Sequence, residues 1–515
     1  MPQLTIDQRT VSVPPGATIL DAAHLAGVII PTLCHAPGLP HQTACLVCVV
    51  QVVGSPRLTP ACGTPATEGM VVTSHSPAVQ EARRTAMELL LGDHEGECLA
   101  PCENACAAGI AIPKLLRQVS SGDMGGAVAT LKSRLALPAL LTRLCGAACE
   151  KGCRRGVVAR QQGATGKPLD HAVAIGAVEQ AVLDHDRSAP WLPTPLPASG
   201  KHIAVVGSGP AGLAAAWVLI QAGHACTVLE KDSVIGGGLR HAAALASFSP
   251  ELLHAELNEL VRLGVIFCPN VNLATAADLD RLARNHDAVI LALGESLDVL
   301  ASNLGLTPPD AIGHNHRSGW SQVFIARSNA NRQAVRSAVE GRSVATTVSR
   351  YVLNGGAAVF AEKNWSMRNL PKRPWNLDIQ ALRSTQALAQ DLGGELAAQE
   401  AERCLQCGCA KAEGCRLRSV AATLGAESKR YSGTAMAGEP DRSHRLIDLD
   451  PAKCIACGLC VAWCELHRPP VGLGFTGRGP RLGLGLPLGH RLAELSDEAA
   501  KSCAALCPSG ALAVK

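Results

Sequence analysis

Aromatic residues are scarce in this sequence: six Trp, five Phe and two Tyr make up only 3% of its 515 residues. Surfaces that bind single-stranded nucleic acid stack bases on aromatic rings, so the composition argues against such a surface. Excess charge is also lacking, since 47 Lys and Arg face 43 Asp and Glu, a net charge of +4. That balance excludes a protein that coats nucleic acid. No run of 18 or more apolar residues is present, so no membrane span is predicted.

The N-terminus lacks a basic region followed by an apolar stretch, so no signal peptide is expected and the predicted location is cytoplasmic. Disulfides are rare in that reducing compartment. Most of the 22 cysteines are therefore interpreted as metal ligands, and their spacing indicates which metal. Between Cys153 and Cys404 lie 250 residues with only two cysteines, Cys226 and Cys268. These two are expected to be ordinary buried thiols.

The cysteine groups and the proline-rich stretches predict a multidomain chain of α/β and α+β architecture. Four prolines between Arg187 and Gly200 exclude a helix or a central strand there. Further linkers are expected at Lys363–Trp375 and Glu427–His444. The predicted domains are residues 1–80, 81–186, 200–355 and 446–515, with a linker and a Cys-rich segment at 356–445. The sequence also predicts a hairpin of Leu4–Ile6 and Thr10–Val13 and an amphipathic helix over Glu81–Leu91.

Residues 1–80 are predicted to bind a [2Fe-2S] cluster, which needs four thiolates, two on each iron. A zinc site is the alternative, but the ten-residue gap after the first cysteine suits it poorly. The segments IIPTLCHAPGL, ACLVCVVQV and GMVVTSHS resemble the plant-type ferredoxin β-grasp domain of the iron–sulfur subunit of NADH dehydrogenases and NAD-linked hydrogenases. The candidate ligands are Cys34, Cys45, Cys48 and Cys62.

Residues 81–186 carry six cysteines, two short of the eight ligands that two [4Fe-4S] clusters need. The segment from Cys98 onward resembles the helical N-terminal domain of the glutamate synthase small subunit and of dihydropyrimidine dehydrogenase. His94 precedes Cys98 as the histidine ligand does in the NADH dehydrogenase subunit, and Glu179 follows the Val-x-Ile motif after which the first family places a Glu or Gln ligand. For both residues, an exposed side chain without a ligand role is the alternative. The implied sets are His94, Cys98, Cys102 and Cys153 for one cluster, and Cys106, Cys145, Cys149 and Glu179 for the other.

Residues 200–355 contain the glycine pattern of a Rossmann-like dinucleotide-binding fold. An apolar strand precedes the pattern Gly-x-Gly-x-x-Gly of residues 207–212, a helix follows it, and the next strand ends in Glu230. The glycines allow a tight turn, the approach of a pyrophosphate and the packing of helix on strand, while the acid accepts hydrogen bonds from a ribose. The candidate cofactor-binding residues are Gly207, Gly209, Pro210, Ala211, Gly212, Glu230, Lys231, Gly238 and Leu239.

This region resembles the FAD half of the glutamate synthase small subunit in the segments VGSGPAGLAAA, TVLEK and GGGLRH, which implies a Rossmann-like FAD domain. Three departures matter, the first being that the segment after Arg240 lacks the Pro-containing loop of that family. No second glycine pattern appears between Glu230 and Tyr351, so the NADPH domain of that family is missing. The Gly-Asp that the family places near the flavin reads Arg327-Ser328 here. We therefore expect FAD but no NAD(P)H on this domain, with an empty scaffold as the alternative.

The C-terminal region contains two further cysteine groups. Four cysteines within residues 404–415 suit either a [4Fe-4S] cluster or a tetrahedral zinc. The last six cysteines form a bacterial-ferredoxin-like arrangement, in which a cluster takes its fourth ligand from the other motif. The second motif lacks its first two cysteines, so one cluster is expected and Cys464 and Cys503 are left over. The predicted ligands are Cys404, Cys407, Cys409 and Cys415 for the first site and Cys454, Cys457, Cys460 and Cys507 for the second.

No nucleophile, general base or substrate pocket is evident in the sequence, so no catalytic residue is predicted. The motifs predict an oxidoreductase subunit that transfers electrons through one [2Fe-2S] cluster and three to four [4Fe-4S] clusters, with bound FAD. The expected partners are an NADH-oxidising flavoprotein subunit and a terminal reductase, hydrogenase or formate dehydrogenase subunit. Two alternatives stay open: a stand-alone NAD(P)H-dependent FAD oxidoreductase that resembles the glutamate synthase small subunit, and a scaffold held together by zinc.

Overall fold

The chain forms two compact units. The first comprises Met1–Leu99, Lys363–Pro374 and Gly408–Lys515, and the second comprises Ala100–Glu362 and Trp375–Cys407. The second unit is thus inserted, in sequence, into the first. The computed structural model describes all residues except 162–165, 168–170, 245–247, 295–321, 327–333, 357–367, 370–392, 412–413, 434–435, 437 and 480–481.

Two expectations fall on segments that are not described. Arg327 and Ser328 lie outside the described residues, and so does most of the expected linker Lys363–Trp375. Among the residues that are described, no helix is long and apolar enough to cross a membrane.

The first unit begins with a mixed sheet that one helix covers. The hairpin expected near the N-terminus is present, with Asp7 and Gln8 at positive φ in its two-residue turn. The first strand also pairs in parallel with Val71–Thr73. The helix Ile19–Leu25 is capped by Thr18 and buries its apolar face against this sheet. The strands, in their order across the sheet, are Arg9–Ser12, Gln3–Ile6, Val71–Thr73, Val49–Val52 and Leu58–Pro60.

A long helix, Pro77–Asp93, follows this sheet. It starts four residues before the expected Glu81 because Ser76 caps it and Pro77 suits the first helical position. The remainder of the first unit has short elements, most of them around a separate apolar core, while the helix Arg416–Leu424 packs with Leu33 and Met87. Its helices are Arg416–Leu424, Leu459–His467 and Asp497–Leu506, with 3₁₀ turns at Pro451–Lys453, Pro487–Gly489 and Leu492–Glu494. Its antiparallel strand pairs are Gly96–Glu97 with Arg368–Asn369, Ile447–Leu449 with Leu512–Val514, and Gly474–Thr476 with Gly483–Gly485.

The second unit begins with short helices that share one apolar core with the sheet domain that follows. Buried Lys132 lies in this region, where it pairs with Asp186 at 2.6 Å and with Glu259 at 2.9 Å. The helices of this part are Pro101–Ala105, Ile112–Ser120, Met124–Lys132, Pro138–Leu141, Ala148–Lys151, Arg154–Gln161, Ile175–Asp186 and Gly394–Glu402.

The sheet of the second unit has five strands, all parallel. Gly341 lets its helix pack tightly on the helix after the first strand, because a Cβ there would lie 1.9 Å from the carbonyl oxygen of Ala211. The strands, in sheet order, are Val323–Ile325, Ala288–Leu291, His202–Val206, Ala225–Leu229 and Ile266–Cys268. The helices are Pro210–Gln221, Leu239–Ala244, Pro250–Arg262, Ala276–Asn285 and Ala334–Leu353.

Candidate cluster and dinucleotide sites

The four cysteines of the N-terminal domain lie together in two close pairs. The Sγ atoms of Cys34 and Cys45 are 3.3 Å apart, and those of Cys48 and Cys62 are 3.4 Å apart. All four side chains are buried. Two thiolates on one tetrahedral metal, each about 2.3 Å from it, lie roughly 3.8 Å apart, so each pair is within about 0.5 Å of the spacing that one iron imposes. The hydrogen bond between Cys48 and Cys62 lowers the pKa of the Cys48 thiol to about 7.

A second group forms in the first unit from residues that are far apart in sequence. The backbone N–H of Cys409 lies 3.5 Å from the carbonyl oxygen of Cys98. Burial raises the pKa of Cys415 to about 11, and the charges of Cys409 and Cys98 act in the same direction. Cys98, Cys409 and Cys415 are therefore neighbours, although more than 300 positions separate the first from the other two.

His94 belongs to the same neighbourhood. It is buried, and its Nδ1 lies 2.9 Å from the carbonyl oxygen of Lys453. The side chain of Lys453 and the Sγ of Cys409 both lie close to Gly510, where a Cβ would be 2.1 Å from that sulfur. Burial lowers the pKa of His94 to about 4, so its imidazole is neutral, as a metal ligand must be. The alternative of an exposed histidine is wrong.

A third group lies wholly in the second unit. Its four thiols line one small cavity together with Pro113 and Val173. Burial raises the pKa of Cys102, and the charges of the other three thiols raise it further. Arg117 and Arg155 lie near Cys404 and oppose the rise in its pKa, which still reaches about 11 through burial. The four cysteines are Cys102, Cys153, Cys404 and Cys407.

Two of the four-residue ligand sets predicted from the sequence are not kept together in the structure. The segment from Cys404 to Cys415 crosses from the second unit to the first between Cys407 and Gly408. The set that began with His94 and Cys98 crosses the other way, between Leu99 and Ala100. Among the described residues, no three or more Cys, His, Asp or Glu side chains converge as the ligands of a single metal ion do. An iron–sulfur cluster instead spreads its ligands over several irons.

The fourth group has the membership that the sequence implied. Cys149 has Glu179, Cys106 and Cys145 as charged neighbours, which add to the effect of burial in raising its pKa. Glu179 is buried, so the alternative of an exposed glutamate is wrong. Burial, followed by the nearby Glu150, raises the pKa of Glu179 to about 8. A buried carboxylate beside three thiols is a reasonable ligand for a positively charged metal centre.

The fifth group is at the C-terminus and is also as expected. Burial raises the pKa of both Cys454 and Cys457, to about 11 and about 12, and the charge of Cys507 adds to each rise. The pKa of Cys460 is raised for the same reasons. Ala456 has positive φ in the loop that carries the first three thiols. Such a tight loop brings them together opposite Cys507.

The glycine pattern of the second unit has the geometry that its sequence predicted. Gly207 has a φ of 104°, and a Cβ there would lie 2.4 Å from the carbonyl oxygen of Ala292. A Cβ on Gly212 would lie 1.9 Å from the carbonyl oxygen of Gly207. Gly209 caps the helix Pro210–Gln221 and has open space at its Cβ position. This open helix N-terminus suits a pyrophosphate.

The acid at the end of the second strand is held in place by backbone and side-chain donors. Oε2 of Glu230 accepts hydrogen bonds from the N–H and the hydroxyl of Ser208, at 3.0 and 2.5 Å, and Oε1 accepts one from the N–H of Asp232 at 3.1 Å. These bonds outweigh burial and lower the pKa of Glu230, so it is ionised. The backbone N–H of Lys231 also donates to this carboxylate, so the acid is held firmly at the end of the second strand, beside the open helix N-terminus at Gly209. The site therefore fits a dinucleotide.

The other candidate cofactor residues differ in their surroundings. Lys231 is exposed, and Gly238 has open space at its Cβ position. Pro210 and Ala211 form the first turn of the helix, as the pattern implies. Leu239 is buried in the core of the second unit, so its side chain is a packing residue. Sequence reasoning missed Ser208, whose place inside the glycine pattern was the available signal.

Three family models match the sequence. A 2Fe-2S iron-sulfur cluster binding domain matches residues 2–77, and the 4Fe-4S cluster domain II of dihydropyrimidine dehydrogenase matches residues 68–191. An NAD(P)-binding Rossmann-like domain matches residues 205–252. These matches confirm that the chain contains 2Fe-2S and 4Fe-4S iron–sulfur domains and a Rossmann-like domain, within residues 2–252.

Three similar proteins are oxidoreductases by name. The chain is 32% identical over 207 residues to the NADP(+)-dependent formate dehydrogenase subunit beta of Moorella thermoacetica, covering 38% of this chain and 29% of that protein. It is 50% identical over 101 residues to the NADP-reducing hydrogenase subunit HndD of Solidesulfovibrio fructosivorans, covering 19% and 17%. It is 33% identical over 201 residues to the glutamate synthase (NADPH) small chain of Mycobacterium tuberculosis, covering 38% and 39%.

The chain thus spans less than half the length of each of these relatives. The similarities are confined to parts of the chain, and they include both kinds of protein that the motifs resembled. The chain is therefore a mosaic in which iron–sulfur cluster domains and a Rossmann-like nucleotide-binding domain, homologous to parts of oxidoreductase subunits, are joined in one polypeptide.

Proposed function

We propose that this chain is an iron–sulfur flavoprotein subunit that transfers electrons within a multisubunit NAD(P)H-linked oxidoreductase of the hydrogenase, formate dehydrogenase or NADH dehydrogenase kind. The observation that carries the proposal is the grouping of twenty side chains into five sets of four. Bound iron–sulfur clusters supply one-electron transfer. The role of this chain is to hold such clusters on side chains that are mostly buried or half-buried, with Cys145 exposed, and to set their potentials through the ligands around them.

We assign one [2Fe-2S] cluster and four [4Fe-4S] clusters to these sets. The N-terminal set takes the [2Fe-2S] cluster because its thiols lie in two close pairs. The set with His94 carries one negative charge fewer than an all-thiolate set, because imidazole is a neutral ligand, and this raises the potential of a cluster bound there. A carboxylate ligand at Glu179 keeps the charge of a thiolate and changes the donor atom from sulfur to oxygen. The [4Fe-4S] sets are His94, Cys98, Cys409 and Cys415; Cys102, Cys153, Cys404 and Cys407; Cys106, Cys145, Cys149 and Glu179; and Cys454, Cys457, Cys460 and Cys507.

The first of these four sets is a motif that the second unit interrupts. If residues 100–407 are set aside, the sequence reads His94-x3-Cys98-x2-Cys409-x5-Cys415. All four residues belong to the first unit, whose boundaries fall within this motif. The inserted residues begin with Ala100 and end with Cys407, and they bring the complete third set with them. The insertion thus explains why Cys407 and Cys409 serve different sets.

We further propose that the Rossmann-like domain binds FAD. A flavin exchanges electrons in pairs or singly, which suits a junction between hydride and one-electron carriers. The open N-terminus at Gly209 would accept the pyrophosphate, and the carboxylate of Glu230 would accept a hydrogen bond from the ribose. We expect NAD(P)H to react at a partner flavoprotein, and a terminal reductase, hydrogenase or formate dehydrogenase subunit to complete the path.

A second candidate is a stand-alone NAD(P)H-dependent FAD oxidoreductase. The similarity to the glutamate synthase small chain, 33% identity over 201 residues, favours it. The lack of a second glycine pattern in the sequence counts against it, because a hydride donor then has no site of its own. Bleaching of the flavin by NADH or NADPH in the purified chain alone would support this candidate.

The deciding experiment is anaerobic purification of the full chain with iron, sulfide and flavin measured per polypeptide. We expect about 18 iron atoms and one FAD, as one [2Fe-2S] and four [4Fe-4S] clusters with a filled dinucleotide site require. A Cys226→Ala variant is the control, because this buried thiol lies outside all five sets. Fewer than about 8 iron atoms, or zinc without acid-labile sulfide, would exclude an electron-transfer chain of this kind.

A further inference from the structure

A buried arginine of the first unit lies beside the N-terminal cysteine set. Arg83, on the helix Pro77–Asp93, is only 6% exposed. Its Nε donates to the carbonyl oxygen of Val49 at 3.0 Å, and Val49 directly follows Cys48 in the chain. Its Nη2 is buried and has no hydrogen-bond acceptor among the residues that the structure describes. Such a guanidinium needs a negative charge nearby, because a buried charge without one is costly.

Two negative groups lie near enough to act on this guanidinium. Burial lowers the pKa of Arg83, and the charges of Cys48 and then of Asp7 oppose that effect. The carboxylate of Asp7 is engaged elsewhere, since it accepts hydrogen bonds from the N–H and the hydroxyl of Ser74 and lies 3.2 Å from Nδ1 of His75. Within the described part of the chain, the cysteine set that contains Cys48 is therefore the anionic group left to balance Arg83.

The sheet holds this guanidinium at the end of the strands where the ligands lie. The strand that follows Cys48 pairs in antiparallel fashion with the strand that precedes Cys62. Both cysteines therefore lie at the same end of the two strands, and their Sγ atoms are 3.4 Å apart. Val49 is the first residue of its strand, so its bond to Arg83 fixes the positive charge at that end. Arg83 is thus placed beside two of the four candidate ligands.

We propose that Arg83 is the buried counter-ion of the [2Fe-2S] cluster and raises its reduction potential. A [2Fe-2S] cluster on four thiolates is negatively charged, and reduction adds one electron from a donor while no bond to a ligand forms or breaks. A fixed positive charge therefore stabilises the reduced form more than the oxidised form. At an effective dielectric constant of about 20, a unit charge about 12 Å from the added electron changes the ratio of the two forms by about tenfold, and a closer charge changes it more.

The next residue along the helix provides a matched control. Arg84 is 40% exposed, pairs with Glu81 at 3.2 Å, and donates through its Nε to the carbonyl oxygen of Leu424. Water and salt screen a charge in that position, so its removal should leave the cluster unaffected. The inference rests on the proposed function only in that the N-terminal set holds a [2Fe-2S] cluster, and the spectrum of the unchanged chain tests that point separately.

The test is an anaerobic redox titration of the full chain with dithionite and mediators, in which electron paramagnetic resonance follows the [2Fe-2S] signal. At the midpoint potential of the unchanged chain, Arg83→Met should contain about tenfold less reduced than oxidised cluster, a midpoint about 59 mV lower. Arg83→Lys keeps the charge, so its ratio should stay within about threefold of the unchanged value. Arg84→Met should stay within about twofold.

The other outcomes separate charge from shape. An unchanged ratio in Arg83→Met would overturn the counter-ion role, and so would equal shifts in the Met and Lys variants or a matching shift in Arg84→Met. If Arg83→Met loses the [2Fe-2S] signal while Arg83→Lys keeps it at the unchanged potential, the role is supported, because the site then needs the charge. Loss of the signal in both variants would overturn it, because the shape of the arginine would then be what matters. An unchanged chain that lacks the signal would overturn the proposed function as well.

Discussion

The division of the Cys404–Cys415 segment between two clusters can be tested with alanine substitutions two residues apart. Cys407 lines the cavity of the third set, while Cys409 lies beside Cys98 in the first unit. Only Gly408 separates them in the chain. If they serve different clusters, their effects on iron content must add, since separate sites are independent.

The expected iron contents follow from four irons per [4Fe-4S] cluster and about 18 in the full chain. Cys407→Ala and Cys409→Ala should each leave about 14 iron atoms, and the double variant about 10. The matched control is Cys404→Ala with Cys407→Ala, which removes two ligands of one cluster and should leave about 14.

The assay is iron and acid-labile sulfide per polypeptide after anaerobic purification, with electron paramagnetic resonance of the reduced protein as a second readout. The Cys407→Ala, Cys409→Ala double variant should lose two cluster signals and the control double variant one. If the double variant retains as much iron as either single variant, the two cysteines share a site and the proposed division is refuted.

Three further predictions concern the second unit. Glu230→Ala should weaken FAD binding roughly tenfold, because one or two hydrogen bonds to the ribose are lost. The flavin content of the purified variant, compared with that of Lys231→Ala, measures this effect. Lys132→Met leaves two buried carboxylates without their cation, so the free energy of unfolding in urea should fall by about 3–5 kcal/mol, whereas the half-exposed Lys201 should tolerate the same change. Burial raises the pKa of Glu256 to about 8, so the folded carboxyl keeps a proton that the unfolded chain releases near pH 4.5. The stability that this proton supplies is therefore complete below pH 4.5 and is lost as the pH rises through 8. Across that window the free energy of unfolding in urea should fall by roughly 4 kcal/mol, and in Glu256→Gln this fall should be absent.

Many local features of this protein could be predicted from the spacing of a few residues along the chain. The hairpin at the N-terminus, the tight turn at Gly207 and the packing at Gly212 are each set by a few adjacent residues, and the structure has them as predicted. The loop from Cys454 to Cys460 is of the same kind, since a short loop determines where its thiols point. Helix ends were less well predicted, as at Pro77, because capping by Ser76 extends a helix beyond its apolar periodicity.

The side chains His94 and Glu179 illustrate the opposite case. Each had an exposed alternative that the sequence left open, because a single polar residue reports nothing about what covers it. Burial against other segments decided the matter, and it also shifted both pKa values towards the neutral form.

The sequence by itself determined which twenty side chains are the candidate ligands, what kinds of domain the chain contains and where the dinucleotide turn lies. Only the tertiary structure decided which ligands lie together. The reason is that spacing along the chain reports neighbours only while the chain stays within one unit. The boundary after Leu99 and the one before Gly408 break that relation. Cys407 and Cys409 are only two positions apart but belong to different units, whereas Cys98 and Cys409 are distant in sequence and lie side by side.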